Sequence, residues 1–472
     1  MTYKRCVILL ADGARADCFE ELLAAGRLPH IKRHLVARGA SVRGVTAFPS
    51  TTGPAYLPFL TGCLPATCNV PGIRWVDKRA LARGRYTLFG PEGARSYVGI
   101  ETFRINGDMR PEIGTLFQLL PRSYSIFNSV CRGIRPGGNR TRIMRIWYWY
   151  YAHLTDRWQF VDSAATDKLL ALTRRDFQFA FVVFPAIDEY AHATDPRHPR
   201  VLAAYEGVDQ AVGLLAERLQ RLRRYDDTLI WIVSDHGLSA TKNHFCVNTF
   251  LEERGIRTLY YPLVFKRGCV AANMMSGNGM THLYFRHPDG WEGPMDATML
   301  GRIHPGLLAE LTKPPAVDLL AAREADGSIL ILNRRGRARL RLEGDWLKYE
   351  VDGADPFGYG ALPLRMRADE QLQHTIASDY PDGLYQLAHI FTSPRTGDVV
   401  LSAAPGFDLR DAYEVPEHRS SHGSLHRDHM CAPIICSAPL PTGPMRTVDV
   451  FPLLLTMMGR AVPQKIDGRA LF

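Results

Sequence analysis

No uninterrupted apolar stretch in this 472-residue chain approaches the ~20 residues needed to span a bilayer. Cys-x-x-Cys pairs are absent as well. The nine cysteines are odd in number and follow no repeating spacing; Cys63 and Cys68, and Cys431 and Cys436, each lie five apart. That excludes a small disulfide scaffold and reads as buried free thiols. Neither internal repeats nor low-complexity tracts stand out. Hydrophobic residues make up 46% and charged residues 22%, near-average values that exclude disorder, collagen and coiled coil. Acidic residues are in deficit, 48 against 57 basic ones, for a formal charge of +9. The surplus permits anionic partners such as phosphate esters, acidic membrane surfaces or nucleic acid. The first apolar run, Cys6-Val7-Ile8-Leu9-Leu10-Ala11, is shorter than the roughly 7–15-residue core of a signal peptide. It reads as a buried strand, and the expected location is cytoplasmic.

Further apolar runs occur at Phe179–Pro185, Thr228–Ser234 and Pro433–Ser437. Continuous runs suit strands covered on both faces, and helical segments between them point to a mainly parallel α/β sheet. Val201–Arg224 carries Val201, Tyr205, Val208, Val212, Leu215 and Leu219 at helical spacing, with Glu206, Asp209 and Glu217 on the other face. Val448–Met458 reads as another helix, stopped by Gly459. The stretch from about 251 to 367 is rich in Gly, Pro and Arg, with strands expected at Ser328–Asn333 and Ala338–Glu350. Residues 79–157 form a second irregular stretch.

Three strand candidates are followed by acids: Asp12 after the first, Asp188 past the second, Asp235 after the third. The carboxyl ends of strands line the ligand crevice of open α/β sheets, where gathered carboxylates and imidazoles suit a divalent metal. Taken singly, each acid reads as a cap or turn residue. Ala47-Phe48-Pro49-Ser50-Thr51-Thr52-Gly53-Pro54 sets hydroxyls ahead of a Pro-initiated helix ended by Gly62, a place for N-caps or for phosphate. Pro58 inside that helix predicts a kink. Late in the chain, Ser421-His422-Gly423-Ser424-Leu425-His426-Arg427-Asp428-His429 concentrates imidazoles just before a strand.

With these blocks in order, Val7–Asp17, Thr46–Asp77, Phe181–Asp195, Thr228–Gly237 and His422–Phe472, the chain resembles the alkaline phosphatase superfamily, in its nucleotide pyrophosphatase/phosphodiesterase branch. The resemblance implies a three-layer α/β sandwich around a mostly parallel sheet. Residues 1–250 would form the first part of the catalytic core, with the irregular insert at 79–157; 251–367 would form an inserted smaller α/β or cap region; and 368–472 would complete the core. It also implies two divalent metal ions, Zn2+ by family habit or Mn2+. One ion would sit on Asp188, His192 and His422, the other on Asp12, Asp235 and His236, with Thr52 as nucleophile and further ligand. His422 rather than His426 or His429 follows from the Gly423 beside it.

The implied activity is phosphoric ester hydrolysis on a diester or pyrophosphate through a phospho-threonine. A phosphomonoester or phosphonate substrate is the alternative, and so is an inactive binding module on the same fold. Relatives in this branch carry Asn three residues after the nucleophile, whereas Ala55 stands here. Arg74, Arg132 and Arg135 are candidates to bind the phosphoryl oxygens instead. The sulfatase branch is rejected because Cys63-Leu64-Pro65-Ala66-Thr67 lacks its Arg. The substrate expected is a small anionic ester, nucleotide-like or lipid-like. Residues 140–158 interleave cations with Trp147, Tyr148, Trp149, Tyr150 and Tyr151; Trp147, Tyr151, Leu154 and Trp158 would share a helix face, fit for packing or peripheral membrane contact. Cations are not spread along a groove, so no stable nucleic-acid complex is expected.

Overall fold

A computed structural model describes residues 2–293, 295–410, 414 and 417–471. Phe472, which closes the last resembling block, lies outside them. Seven strands form the main sheet: β1 (Arg5–Ala11), β2 (Ala40–Val45), β3 (Ser123–Ile126), β4 (Phe179–Phe184), β5 (Thr228–Val233), β6 (Cys431–Cys436) and β7 (Met445–Arg446), in the order β7-β2-β6-β5-β1-β4-β3. β1 pairs in parallel with β4 (Leu10 opposite Val183) and with β5 (Leu10 opposite Val233). Every residue of β4, β5 and β6 is buried, so both faces of the sheet are covered. Four of the apolar runs thus become four central strands, for the expected reason.

The exception is direction. β6 is antiparallel to both β5 and β2, the one strand of this sheet that runs opposite to the rest. The loop entering β6 therefore lies at the edge where β1, β4 and β5 end. This reversal brings a histidine-rich segment that precedes a strand beside acids that follow strands.

The long helix runs Pro199–Arg221 and buries Val201, Tyr205, Val208, Val212, Leu215 and Leu219. Asp209, expected on the solvent face, is buried instead and accepts the Ile31 backbone N–H at 2.7 Å. After Gly53 comes a 3-10 turn, Pro54–Tyr56, then an α-helix, Leu57–Thr61. Pro58 falls in the first turn of that α-helix, where its missing N–H would have no intrahelical partner anyway. The expected kink is a change of helix type ahead of it.

A second, nine-stranded sheet takes strands from Thr258–Leu259 through Val399–Ala403 and is almost wholly antiparallel. The stretch Ala338–Glu350 divides at Gly344 into a hairpin of Arg337–Glu343 and Trp346–Asp352. Between β3 and β4, the helix Met144–Thr155 ends at Asp156, which has a φ of 54°. Trp158 therefore starts the next helix and is buried against Trp149, away from the face shared by Trp147 and Tyr151. All nine cysteines are free, and no helix among the described residues is long and apolar enough to cross a membrane.

The helix Gly383–Ile390 packs on the second sheet, and the Arg446–Asp382 pair fastens its start to β7. Both are buried; Arg446 Nε and Nη2 each lie 2.7 Å from an Asp382 oxygen. Removing one partner of such a pair leaves an uncompensated buried charge, costing about 3–5 kcal/mol. Arg446→Ala should lower the unfolding free energy by about that amount in urea titration; a loss under ~1 kcal/mol would show that the pair does not hold the two sheets together.

Candidate metal centre

Asp12 follows β1 directly, and its backbone N–H still bonds to the Phe184 carbonyl at 3.0 Å, continuing the β1–β4 ladder. Asp235 and His236 follow β5. Asp188 and His192 stand four apart on the helix Ala186–Ala193, so both project from one face. His422 arrives on the loop before β6. These six side chains form two groups, Asp188/His192/His422 and Asp12/Asp235/His236; within each, one donor atom per residue lies within 4.8 Å of the others, and all six are buried.

The groups adjoin. The rings of His236 and His422 stack at 3.8 Å and 12°. Gly13 sits between, with its N–H 3.3 Å from Asp235 Oδ1, and a Cβ there would come within 2.7 Å of Asp188 Oδ1. Its φ of +68° also suits glycine, so both space and backbone demand it.

The three imidazoles share one orientation device. His192 Nδ1 donates to the Ser420 carbonyl (2.8 Å), His236 Nδ1 to that of Gly237 (3.0 Å), and His422 Nδ1 to that of Ser50 (3.0 Å). Each Nδ1 thus carries the proton and each Nε2 faces inward, the arrangement of metal-binding histidines. Thr52 Oγ1 lies 3.1 Å from His236 Nε2 and 3.2 Å from Asp12 Oδ1, and Thr52 is only half-buried. Ser50 and Thr51 point elsewhere: Ser50 Oγ donates to the Ser424 carbonyl, and Thr51 Oγ1 is buried without a partner among the described residues. None of the three caps the short helix.

Charge explains what this set of donors demands. Burial, then the neighbouring Asp235 and Asp188, push the Asp12 carboxyl well above its ordinary range. Burial and Asp188 push Asp235 up to about 8. Burial would raise Asp188 too, but His192 and the other imidazoles hold it well below. Burial alone would lower His192, yet the Asp188 carboxylate raises it to about 10. Asp188 Oδ1 and Asp235 Oδ2 are buried without a hydrogen-bond donor among the described residues. Orphaned carboxylate oxygens beside inward-facing Nε2 atoms are the donor set a divalent cation takes. The residues fit the group they were expected to hold.

His426 and His429 stand apart from these groups. His429 is buried between Ser239 and Ser424, and His426 caps the turn Arg427–Met430. The three arginine candidates are placed differently from one another. Arg132 spends its guanidinium on the backbone carbonyls of Asn106, Met109 and Arg110, which makes it a loop clamp. Arg74 lies over the Tyr261 ring at 5.3 Å with Nε near Ser96. Arg135 is exposed on a cleft with Phe103, Asn106, Ile134 and Arg142. Two groups went unremarked in the sequence. The Tyr56 hydroxyl donates to Asp12 Oδ2 at 2.5 Å; its place four after Thr52 on a helical turn was the available signal. Arg145, buried and within electrostatic reach of Asp12 and Tyr56, was masked by its aromatic neighbours.

Comparison with known proteins places the fold and the family. The family model for type I phosphodiesterase / nucleotide pyrophosphatase matches residues 6–425. Murine ectonucleotide pyrophosphatase/phosphodiesterase 5 superposes with a TM-score of 0.60 at 11% identity, covering 98% of this chain and 97% of that one. An inactive variant of that mouse protein in complex with AMP gives 0.59 at 11% identity, with the same coverage. Phosphonoacetate hydrolase from Sinorhizobium meliloti, in complex with phosphonoformate, gives 0.57 at 15% identity over 97% and 96%. No curated protein matches the chain. The α/β architecture is thus that of the alkaline phosphatase superfamily, and the chain belongs to the type I phosphodiesterase / nucleotide pyrophosphatase family of hydrolytic enzymes.

Proposed function

We propose that this chain is a two-metal phosphodiesterase or pyrophosphatase working through a phospho-threonine on Thr52. The observation that carries this reading is the position of Thr52 Oγ1, within hydrogen-bond distance of Asp12 and His236 of one buried group where that group adjoins the other. Asp188, His192 and His422 would hold one cation, and Asp12, Asp235, His236 and Thr52 the other. When bound, a pair of Zn2+ or Mn2+ ions supplies charge neutralisation at the attacking and leaving oxygens of an in-line displacement. Thr52, its proton lost to solvent, forms the bond from Oγ to phosphorus as the ester P–O bond breaks and the leaving oxygen keeps the electron pair. Water then cleaves the phosphorus–Oγ bond, releasing phosphate or a phosphomonoester and restoring the hydroxyl. Asp12 is held for this by Tyr56 and by its place at the end of β1, and the three Nδ1 bonds keep the imidazoles turned inward. The AMP and phosphonate complexes of the solved structures support anionic phosphorus substrates, with a diester or pyrophosphate first and a phosphonate as the alternative.

Elemental analysis of the purified chain should find close to two divalent ions per molecule. Thr52→Ala should lower hydrolysis of bis-nitrophenyl phosphate about 1000-fold or more, with the ions retained. Activity near wild type in that variant would remove Thr52 from the chemistry. A panel of monoesters, diesters, pyrophosphates and phosphonates assigns the class by the highest kcat/KM.

The helix Met144–Thr155 supports a second reading, of where the enzyme works. Ile143, Trp147, Tyr150 and Leu154 lie along one side of it, exposed by 69%, 50%, 56% and 85%. Arg140, Arg142 and Arg157 flank this stripe, exposed and without a carboxylate partner among the described residues. Pairing two copies through this face would set arginine rim against arginine rim, whereas an anionic phospholipid surface complements both stripe and rim. The chain should therefore co-sediment with phosphatidylglycerol vesicles more than with phosphatidylcholine vesicles, and Trp147→Ser with Leu154→Ser should abolish that preference. Equal partition to both vesicles, or a concentration-dependent dimer lost in the double variant, would contradict it.

A further inference from the structure

A hydrolase of this design needs a donor for the phosphoryl oxygens that the metal ions do not hold, and the surroundings of Thr52 narrow the choice. Three residues past Thr52 stands Ala55, buried and without a polar atom in its side chain. The Tyr56 hydroxyl is committed to Asp12, and Arg132 to backbone carbonyls. Arg145 is different. It opens the insert helix, is 7% exposed, and its Nε donates to the Phe127 carbonyl at 3.0 Å, where the chain leaves the end of β3 at the same sheet edge as Asp12. Its guanidinium lies over the Trp149 ring at 4.0 Å, which fixes the plane of the fork. No carboxylate pairs with it and no described residue accepts from its terminal amino groups, yet Asp12, Tyr56 and Glu189 all lie within its electrostatic reach.

Leaving a buried cation without an ion pair is costly unless a ligand supplies the anion. Two free amino groups on a fixed planar fork match the geometry of a phosphoryl group. We propose that Arg145 binds the non-bridging oxygens of the substrate's phosphoryl group next to Thr52, and so acts as a catalytic residue in place of a donor at Ala55. The inference rests on the hydrolase reading above. It makes the anion site part of the insert, since Arg145 is carried by a helix whose opposite side is the exposed apolar stripe.

The test compares wild type, Arg145→Gln and Arg145→Lys, each checked for fold and metal content. Loss of one such donor should lower kcat/KM for the best ester about 100- to 1000-fold in Arg145→Gln. The inhibition constant of orthovanadate should weaken at least about tenfold, since vanadate presents the same oxygens. Arg145→Lys, which keeps the charge and loses the fork, should fall between. A folded, metal-loaded Arg145→Gln with wild-type kcat/KM and vanadate affinity overturns the proposal while the hydrolase reading stands. If that variant does not fold, Arg145→Lys decides: unchanged vanadate affinity overturns the proposal, weakened affinity supports it. A wild-type chain that neither cleaves any ester nor binds vanadate overturns both.

Discussion

Three carboxylates, Asp12, Asp188 and Asp235, are buried together at one edge of the main sheet, and the rest of the site follows from that. Desolvated like charges at such spacing repel, and the described residues supply too few donors to quiet them: two of the oxygens have no hydrogen-bond partner among them. Three imidazoles surround them, and each spends its Nδ1 proton on a backbone carbonyl and turns its Nε2 inward. Carboxylates and inward Nε2 atoms together are the donor set a divalent cation takes. The β1–β4 and β1–β5 ladders hold this arrangement in place against its own repulsion, with an apolar core packed on both faces.

Topology decides which residues join. Parallel strands deliver their following residues to the carboxyl edge, which accounts for Asp12, Asp188, Asp235 and His236. The reversal of β6 delivers a preceding loop to that edge, which accounts for His422. Had β6 run with the others, His422 would stand at the far end of the sheet. Between β3 and β4, the helix Met144–Thr155 carries Arg145 inward and an apolar stripe outward.

The strands β1, β4, β5 and β6 were legible because each is a short continuous apolar run between polar segments. β2 and β3 were not. Ala40–Val45 mixes Ser, Arg and Gly into its pattern, and Ser123–Ile126 is a four-residue edge strand with alternate serines. Strand direction leaves no trace in composition, so the reversal of β6 was invisible. The acids, imidazoles and Thr52 could be quoted from motifs, since chemistry restricts the residue types there. Arginine carries no such restriction. Arg132, an attractive phosphate binder on paper, is a clamp for three carbonyls, and Arg145, hidden among aromatics, is buried with its terminal amino groups engaged by no described residue. Asp209 misled for a related reason, since helical spacing shows which side a residue occupies and not what packs over it.

Zinc-edge anomalous diffraction from crystals of the wild-type chain grown with zinc tests the central claim most directly. The account predicts two strong peaks, one enclosed by Asp188, His192 and His422, the other by Asp12, Asp235 and His236 with Thr52 Oγ1 beside it. A map with no peak at either group, or with zinc bound only elsewhere, would contradict it.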